Sequence, residues 1–210
     1  MALNARREKE KQQRAEDIVA AAEKVFFEKG FANSSMDEIA TEAQLSRALL
    51  YVYFKDKAAI MRAVMLNALL ALEKTFQEAL QAGDTGLAQI SRIGRAYYQY
   101  SIDHSDYFDV KTELNTFPFA EEDTEVAANM SACRLRITEL MITALENGIK
   151  DGSLSSKRIP NTSLTAHMLQ GALHGVIMST REQREEGFAY PDGEALVHYS
   201  IDMMSEAMRG

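Results

Sequence analysis

Two helix-start signals, Ser35 and Ser46, lie only eleven residues apart in this chain and leave room for one short helix between them. Glu38 follows Ser35 at the spacing of a capping box, in which each side chain bonds the backbone N–H of the other residue. Ser46 is a favourable N-cap for the next helix, with Leu45 and Leu50 spaced as a hydrophobic staple. This pattern predicts two short helices joined by a tight turn.

A longer amphipathic helix precedes this pair. Between Glu16 and Lys29, apolar residues recur at the spacing of a single helix face (Ile18, Ala21, Ala22, Val25, Phe26). Gly30 follows as a helix stop, because glycine readily adopts the left-handed conformation that ends many helices. The three segments together predict a three-helix unit.

The third helix, which begins after Ser46, is unusual because apolar and aromatic side chains cover nearly all of it. At about 100° per residue, Leu50 and Phe54 share one buried edge. The other positions combine small, apolar and phenolic groups with basic residues (Arg47, Ala48, Leu49, Tyr51, Val52, Tyr53, Lys55, Lys57). Such a face suits a DNA major groove, where apolar atoms meet thymine methyl groups and hydroxyls reach phosphates. Alternatively, later parts of the chain bury this helix on every side.

The net charge of −8 is unevenly distributed along the chain. Residues 1–62 carry 11 basic and 10 acidic side chains, whereas residues 63–210 carry 12 basic and 21 acidic ones. The first 14 residues hold five basic groups against two acidic ones. One end of the molecule is therefore suited to approach a polyanion that the rest of it repels.

Composition predicts a helical protein of the cytoplasm. Three prolines, no tryptophan and many Ala, Leu, Glu, Met and Lys residues favour an all-α chain. No apolar run approaches the roughly 18–20 residues needed to cross a bilayer, and the N-terminus lacks the apolar segment of a signal peptide. The single cysteine, Cys133, fits a reducing compartment. We expect no membrane partner.

About the first 65 residues resemble the N-terminal DNA-binding domain of the TetR family of bacterial transcriptional regulators. The similarity lies in F-x-x-K-G-F at the end of the first helix, S-x-x-x-I-A in the second, L-S-x-x-x-L-Y-x-Y-F in the third and the trailing K-x-K. It implies an all-α, TetR-like fold, with a helix-turn-helix domain over residues 1–60 and a larger helical domain for dimerisation and ligand binding over residues 61–210.

The same resemblance implies the partners. The first partner is double-stranded DNA that carries a palindromic operator. The second is another copy of the chain, and the third is a small-molecule inducer. Binding to DNA implies a nucleoid-associated location in the cytoplasm. Besides the face of the third helix, it adds helix-start residues to the DNA-contacting set (Ser35, Met36, Ser46). The chain departs from the family pattern at Gln44, where Gly is common, at Ala48, where Gly or Pro is frequent, and at Leu49, where Thr or Ser is frequent. At Leu49, apolar surface replaces a polar contact.

The remaining sequence predicts further helices over about residues 57–81, 85–104 and 107–114, then one ending near 150, one reaching 185 and a last one after 190. Gly83 and Gly152 are placed as helix stops. The stretch TFPFAEEDTE, residues 116–125, predicts a solvated loop whose last carboxylates favour the start of the next helix.

The last two helices each carry a face of apolar and small residues. The first face comprises Leu164, Met168, Gly171, Ala172, Gly175, Val176 and Ser179, and the second comprises Leu196, Tyr199, Ser200, Met203, Met204 and Ala207. The glycines cost about 1 kcal/mol each in helix propensity, so close packing is expected there. Two such helices from each subunit predict a four-helix dimer interface. The alternative is packing within one chain.

No catalytic or metal-binding pattern stands out. The four histidines show neither His-x-x-x-His nor Glu-x-x-His spacing, and Cys133 falls in a helical pattern as a small core residue. No phosphate-binding loop or nucleophile elbow is present. We expect no enzymatic activity, metal site or cofactor.

Aromatic residues are dense between positions 97 and 119, and ligand pockets are apolar with a few polar groups. In the family, the inducer lies among these central helices. The candidate ligand-binding residues are Tyr97, Ser101, His104 and Phe108 from one side and Arg134, Ile137, His167 and Gly171 from the other.

Three functions stay open at this point. The first is a ligand-controlled dimeric repressor, and the second is an architectural DNA-binding protein with a solid C-terminal core. The third is a helical ligand-binding protein or enzyme that no longer binds DNA. The basic N-terminus and the cations Arg47, Lys55 and Lys57 argue against the third.

Overall fold

The chain is α-helical throughout the residues that the computed structural model describes, namely 2–82, 84–112, 124–186 and 192–210. The helices are α1 (Ala2–Lys29), α2 (Met36–Glu42), α3 (Arg47–Tyr53), α4 (Lys57–Gln81), α5 (Gly86–Asp103), α6 (Ser105–Thr112), α7 (Thr124–Asp151), α8 (Thr162–Glu186) and α9 (Gly193–Met208). One isolated antiparallel bridge joins Leu154 to Arg209. The prediction of an all-α chain is confirmed.

The helix boundaries largely follow the capping signals in the sequence. Ser35, Ser46 and Thr85 are the N-caps of α2, α3 and α5, and each side chain accepts a backbone hydrogen bond from the first turn of its helix. Gly30 and Gly152 directly follow α1 and α7, with φ of 77° and 79°. Both therefore act as left-handed helix stops, as predicted.

The start of α1 differs from the prediction. The helix begins at Ala2 rather than near Glu16, because the polar N-terminus is itself helical. Arg6 Nε donates to Glu10 Oε1 at 2.8 Å, and Gln12 and Gln13 donate to carboxylates four residues later. Such i,i+4 pairs stabilise a helix without any apolar face. The stripe of apolar residues marked the buried part of α1 and missed its exposed part.

Some predicted features lie outside the described residues. These are the helix stop at Gly83, the end of the helix predicted over 107–114 and residues 116–123 of the loop predicted over 116–125, whose last two residues begin α7 instead. The same holds for residues 187–191, which precede the last helix. Asp192 is the N-cap of α9, with its side chain accepting from Glu194 N at 3.1 Å.

The chain separates into two compact units. Unit 1 comprises Met1–Ala68 with Asp109–Asn129, and unit 2 comprises Leu69–Phe108 with Met130–Gly210. The division falls inside α4, so one continuous helix contributes to both units.

In unit 1, the core is built from the apolar stripes of the first four helices. Ile18, Ile39, Leu50, Ile60 and Val64 are completely buried, and they come from α1, α2, α3 and α4. Ion pairs at the surface join α1 to α2, from Lys24 to Glu42 and from Lys29 to Glu38. This shared core fixes the orientation of α2 and α3 relative to α1 and α4.

In unit 2, the described helices pack around a core that includes Leu72, Ile93, Leu145 and Ile177. The start of α5 meets the end of α7 backbone to backbone, because a Cβ atom on Gly86 would overlap the main chain of Gly148. At the same place, Asp151 Oδ2 accepts from Gly86 N at 2.8 Å, and Ser153 Oγ accepts from Leu87 N at 3.1 Å.

Candidate functional site

The start of α2 is held by a network that also reaches the end of α1. Ser35 N donates to Glu38 Oε2 at 2.8 Å and Glu38 N donates to Ser35 Oγ at 3.3 Å, which is the predicted capping box. Lys29 Nζ donates to the other oxygen of Glu38 at 2.7 Å. These hydrogen bonds, from Lys29 first and Ser35 second, hold the pKa of Glu38 below its ordinary value.

The turn between α2 and α3 has the geometry of a Schellman motif. Gln44 N donates to Thr41 O at 3.0 Å and Leu45 N donates to Ala40 O at 2.8 Å. Gln44 itself adopts φ of 56°, a left-handed conformation that glycine adopts more easily. Where the family commonly has Gly, this chain therefore makes a left-handed turn with a bulkier residue.

Helix α3 is exposed on all sides except one. Leu50 is completely buried, whereas Val52 is 72% exposed and Tyr51 43% exposed. Arg47, Ala48 and Leu49 are exposed as well. Leu50 and the half-buried Phe54 form the predicted buried edge. Within the described part of unit 1, no element covers the remaining faces of α3, which contradicts burial on every side.

Arg47 lies at the edge of this face in two weak contacts. Its Nη1 lies 3.0 Å from Asp37 Oδ2, and its guanidinium carbon lies 5.7 Å from the centroid of the Tyr51 ring. Both partners of the ion pair are exposed, and exposed pairs contribute only about 0–1 kcal/mol. The guanidinium can therefore exchange Asp37 for a phosphate or a base at little cost.

Lys57 has a different environment from the one predicted for it. It is half-buried at the start of α4, and its ammonium donates to the main-chain oxygens of Phe31 and Ser34, the latter at 2.7 Å. The ammonium also lies 4.3 Å from the centroid of the Phe31 ring. Two of its three N–H donors are thus used inside unit 1, where they tie the α1–α2 connection to α4.

The other predicted DNA-contacting residues divide by exposure. Ser35, Ser46 and Lys55 are exposed, although both serine side chains cap helices. Tyr53 is half-buried. Met36 is buried, so its side chain belongs to the core and only its backbone lies at the start of α2.

In unit 2, the structure brings two of the predicted ligand-binding residues together. The rings of Tyr97 and Phe108 have centroids 5.6 Å apart, and Tyr97 Oη lies 2.8 Å from His174 Nδ1. Burial raises the pKa of Tyr97 above its ordinary value. Arg181 lies over the Phe108 ring, 5.1 Å from its centroid. These residues form a buried aromatic cluster.

The remaining predicted ligand-binding residues do not join this cluster. Ser101 is buried, but its hydroxyl donates to Tyr98 O at 2.6 Å. Ile137 is buried on α7. The other four residues are exposed (His104, Arg134, His167, Gly171). The predicted set therefore does not line a single site.

A small cavity of about 40 Å³ lies between α4, α5, α7, α8 and α9 within unit 2. Of the predicted residues, only Tyr97 lines it. Ten lining residues are apolar or aromatic (Phe76, Ile90, Ile93, Tyr97, Met141, Leu169, Leu173, Ile201, Met204, Met208). Gln170 and Ser205 supply polar groups, and none of the lining residues is charged. Sequence reasoning missed this site because its walls come from five separate helices.

Two other properties of the described residues are relevant to function. Among them, no three His, Cys, Asp or Glu side chains are grouped so that they could hold a metal ion. None of the helices in these ranges combines the length and apolar character that a membrane span requires.

Known proteins resemble this chain in both sequence and fold. A family model described as bacterial regulatory proteins of the tetR family matches residues 18–64. The transcriptional regulator YuxN of Bacillus subtilis is 29% identical over 122 residues, which cover 57% of this chain and 41% of that protein. The transcriptional regulator HbdR of Aromatoleum sp. is 27% identical over 166 residues, covering 79% of this chain and 62% of that protein. The chain thus spans less than two thirds of these two relatives.

A solved structure shows the same fold over nearly the whole chain. The regulator FadR of Bacillus subtilis, in complex with stearoyl-CoA, superposes with a TM-score of 0.67 at 18% identity, covering 92% of this chain and 98% of that one. The matched residues 18–64 contain α2 and α3, with the exposed face of α3 described above. The relatives are transcriptional regulators with a helix-turn-helix, as their names state. Residues 18–64 therefore form a helix-turn-helix domain of the TetR family of bacterial regulatory proteins.

Proposed function

We propose that this regulator is a dimeric repressor that binds a palindromic operator and is released from it by a small apolar molecule. The observation that carries the proposal is the exposure of α3, on which Leu50 alone is completely buried. A helix that presents Leu49, Tyr51 and Val52 to solvent needs a partner that accepts apolar and phenolic groups. The major groove offers thymine methyl groups and phosphate oxygens to such a face.

Individual residues have different roles in this proposal. Arg47, Ala48 and Leu49 occupy the first turn of α3, the part of a recognition helix that contacts base edges. Tyr51 and Tyr53 direct hydroxyls toward the DNA backbone, and Lys55 adds positive charge next to α3. Ser35 and Ser46 present the starts of α2 and α3 to phosphates.

Dimerisation through α8 and α9 is supported by a large apolar surface on these helices. Leu164, Met168, Tyr199 and Met203 are each more than half exposed. A Cβ atom added at Gly171 or Gly175 would meet no atom within 4 Å, so the chain itself does not use the close approach that glycine permits. Exposed apolar surface of this extent is typical of an interface between proteins. A second copy would bury it in a four-helix arrangement.

Control by a ligand is supported by the apolar cavity of unit 2. Its volume of about 40 Å³ is well below the roughly 300–1,000 Å³ of pockets for drug-sized molecules, so such a ligand must enlarge it. Met141, Met204 and Met208 line the cavity, and methionine side chains rearrange easily. A ligand that binds only the enlarged form shifts the protein toward that form. FadR, which shares the fold, was solved with stearoyl-CoA.

The same small cavity favours a second candidate, an architectural DNA-binding protein without ligand control. The two proposals differ in their thermodynamic consequence. If a ligand releases the operator, operator DNA must weaken ligand binding by the same factor. Titrating the protein with stearic acid and with stearoyl-CoA, each with and without operator, tests this reciprocity. Equal affinity in both titrations for every compound that binds supports the architectural function.

DNA recognition is tested by selection from a random pool of duplexes with the purified full-length chain. The expected result is a palindrome whose half-sites lie about one helical turn apart or a multiple of it, since each subunit of a symmetric dimer reads one half-site. Enrichment of no sequence, or of a sequence without dyad symmetry, contradicts the proposal.

A further inference from the structure

The N-terminal part of α1 is a helical extension that the rest of unit 1 leaves uncovered. Side chains 5–14 are all exposed, and complete burial on α1 begins at Ile18. These ten residues extend about 15 Å along the helix axis. Tertiary packing, which normally stabilises helices in proteins, is therefore absent over this length.

Within residues 5–14, Arg6 and Glu10 pair with each other, whereas Glu8, Lys9 and three further cations make no hydrogen bond or ion pair within the described ranges. Glu10 pairs with Arg6 at 2.8 Å, and Glu16 and Asp17 accept hydrogen bonds from Gln12 and Gln13 at 2.9 and 3.1 Å. The cations in question are Arg7, Lys11 and Arg14. None of them makes a hydrogen bond or ion pair with any residue in the described ranges.

These three cations share one face of the helix, and we refer to them as the basic row. They are spaced at i, i+4 and i+7, which places them within about 60° of one another at 100° per residue. The buried residues Ile18 and Val25 continue the same face at i+11 and i+18. The basic row is therefore aligned with the side of α1 that packs on the rest of unit 1. Lys9 lies on the opposite side of the helix.

We propose that the basic row binds the phosphate backbone of the duplex that α3 reads, so that α1 is a second DNA-contacting element. This inference rests on the proposed DNA-binding function. Three unpaired cations on one face match a polyanion, and the remainder of the chain carries a net negative charge that repels one. The row belongs to the same unit as α3. It is about 10 Å long, which equals the rise of about three base pairs along the duplex axis.

The test compares two double substitutions that remove the same charge. Lys11→Ala with Arg14→Ala removes two members of the basic row, and Arg6→Ala with Lys9→Ala removes one Lys and one Arg outside it. The probes are the duplex that the wild-type chain enriches from a random pool, extended by ten base pairs at each end, and an unrelated duplex of equal length. Binding is measured at several salt concentrations between 50 and 300 mM.

Loss of the basic row should weaken binding to both duplexes by a similar factor, roughly tenfold or more near 0.15 M salt. The slope of log K against log salt should become shallower by about two for each protomer, because two phosphate contacts are lost. The control pair should change affinity less than threefold. Equal losses from the two double variants, or no loss from either, would overturn the inference. If the wild-type chain enriches no duplex at all, the proposed DNA-binding function fails before this comparison is made.

Discussion

Two surfaces of the molecule expose large apolar side chains, and they differ in what surrounds those side chains. On α3, the exposed Leu49, Tyr51 and Val52 follow Arg47 and precede Lys55. On α8, the exposed Leu164 and Met168 lie in a segment, residues 162–180, that contains no Lys, Arg, Asp or Glu. Both are proposed here as binding surfaces, but only the first combines apolar groups with positive charge.

The contrast teaches that the residues beside an exposed apolar group indicate which kind of partner would match it. Apolar groups beside cations match DNA, which displays methyl groups next to phosphates. Apolar groups beside glycine and alanine match another helix, because small residues let two backbones approach closely. The substitutions below test this division of roles, beginning with the largest expected effect.

The strongest test is Met168→Asp, which puts a charge in the middle of the α8 surface. The side chain is 54% exposed in a single chain, so the fold should tolerate the change. Dimerisation should weaken by about 2–4 kcal/mol, as for a central interface residue, and operator affinity should fall with it. Sedimentation equilibrium measures the effect. Leu135→Asp is the matched control, since Leu135 is 67% exposed on α7. Similar behaviour of the two variants would place the interface elsewhere.

The second test asks which lysine beside α3 belongs to the DNA-facing surface. Lys57→Ala should lower the free energy of unfolding by about 2–3 kcal/mol, because the carbonyls of Phe31 and Ser34 lose a charged donor. Urea denaturation measures this loss, with Lys55→Ala as the control for an exposed lysine. The competing expectation is a phosphate contact. It would leave the stability of the Lys57 variant unchanged and reduce the salt slope of DNA binding by about one.

The third test concerns base reading by the first turn of α3. Leu49→Thr replaces an apolar contact with a hydroxyl and should change base preference by about 1–3 kcal/mol at one position of each half-site. Repeating the selection with the variant reveals the altered position, and dimerisation should stay unchanged. An identical consensus from variant and wild type would show that Leu49 does not contact bases.

The smallest expected effect concerns the turn that presents α3. Gln44 has a φ of 56°, and a left-handed conformation costs a residue other than glycine about 1–2 kcal/mol. Gln44→Gly removes that strain but increases the freedom of the unfolded chain by up to about 1 kcal/mol. Since that entropy cost is about 0.5–1 kcal/mol, stability should rise by about 0–1.5 kcal/mol, seen as a higher urea midpoint at constant slope. Gln44→Ala keeps the strain and should give no gain. A fall in stability for the glycine variant would contradict this explanation.

The sequence was most informative where a local signal decides the structure. The caps Ser35 and Ser46 and the stop Gly30 act through bonds and dihedral angles within a few residues, so their effects were predictable. The single buried edge of α3 followed from helix geometry in the same way. Long-range bonds are different. Lys57 binds carbonyls that lie 23 and 26 residues earlier, and main-chain acceptors leave no mark in a sequence.

The lining of the cavity, the proposed ligand site, was less predictable for a related reason. Helical periodicity shows that α7 and α8 each have an inner face, but the neighbouring helices decide which residues reach a common cavity. Ile137 is buried while Arg134, three positions earlier, is exposed. Tyr97 and Phe108 meet as the aromatic density suggested, yet their partner His174 lies 77 positions beyond Tyr97. Only the assembled unit shows that Gln170 and Ser205 supply the polar groups of the cavity.

The contact between Gly86 and Gly148 has a mechanical consequence for this cavity. No side chain separates Gly86 of α5 from Gly148 of α7, and Asp151 and Ser153 accept hydrogen bonds from the first turn of α5. These contacts hold the start of α5 against the end of α7. The cavity begins about one turn further along α5, at Ile90. If these contacts hold while α5 moves to enlarge the cavity, α5 can only rotate about this end. The displacement of α5 then grows with distance from Gly86.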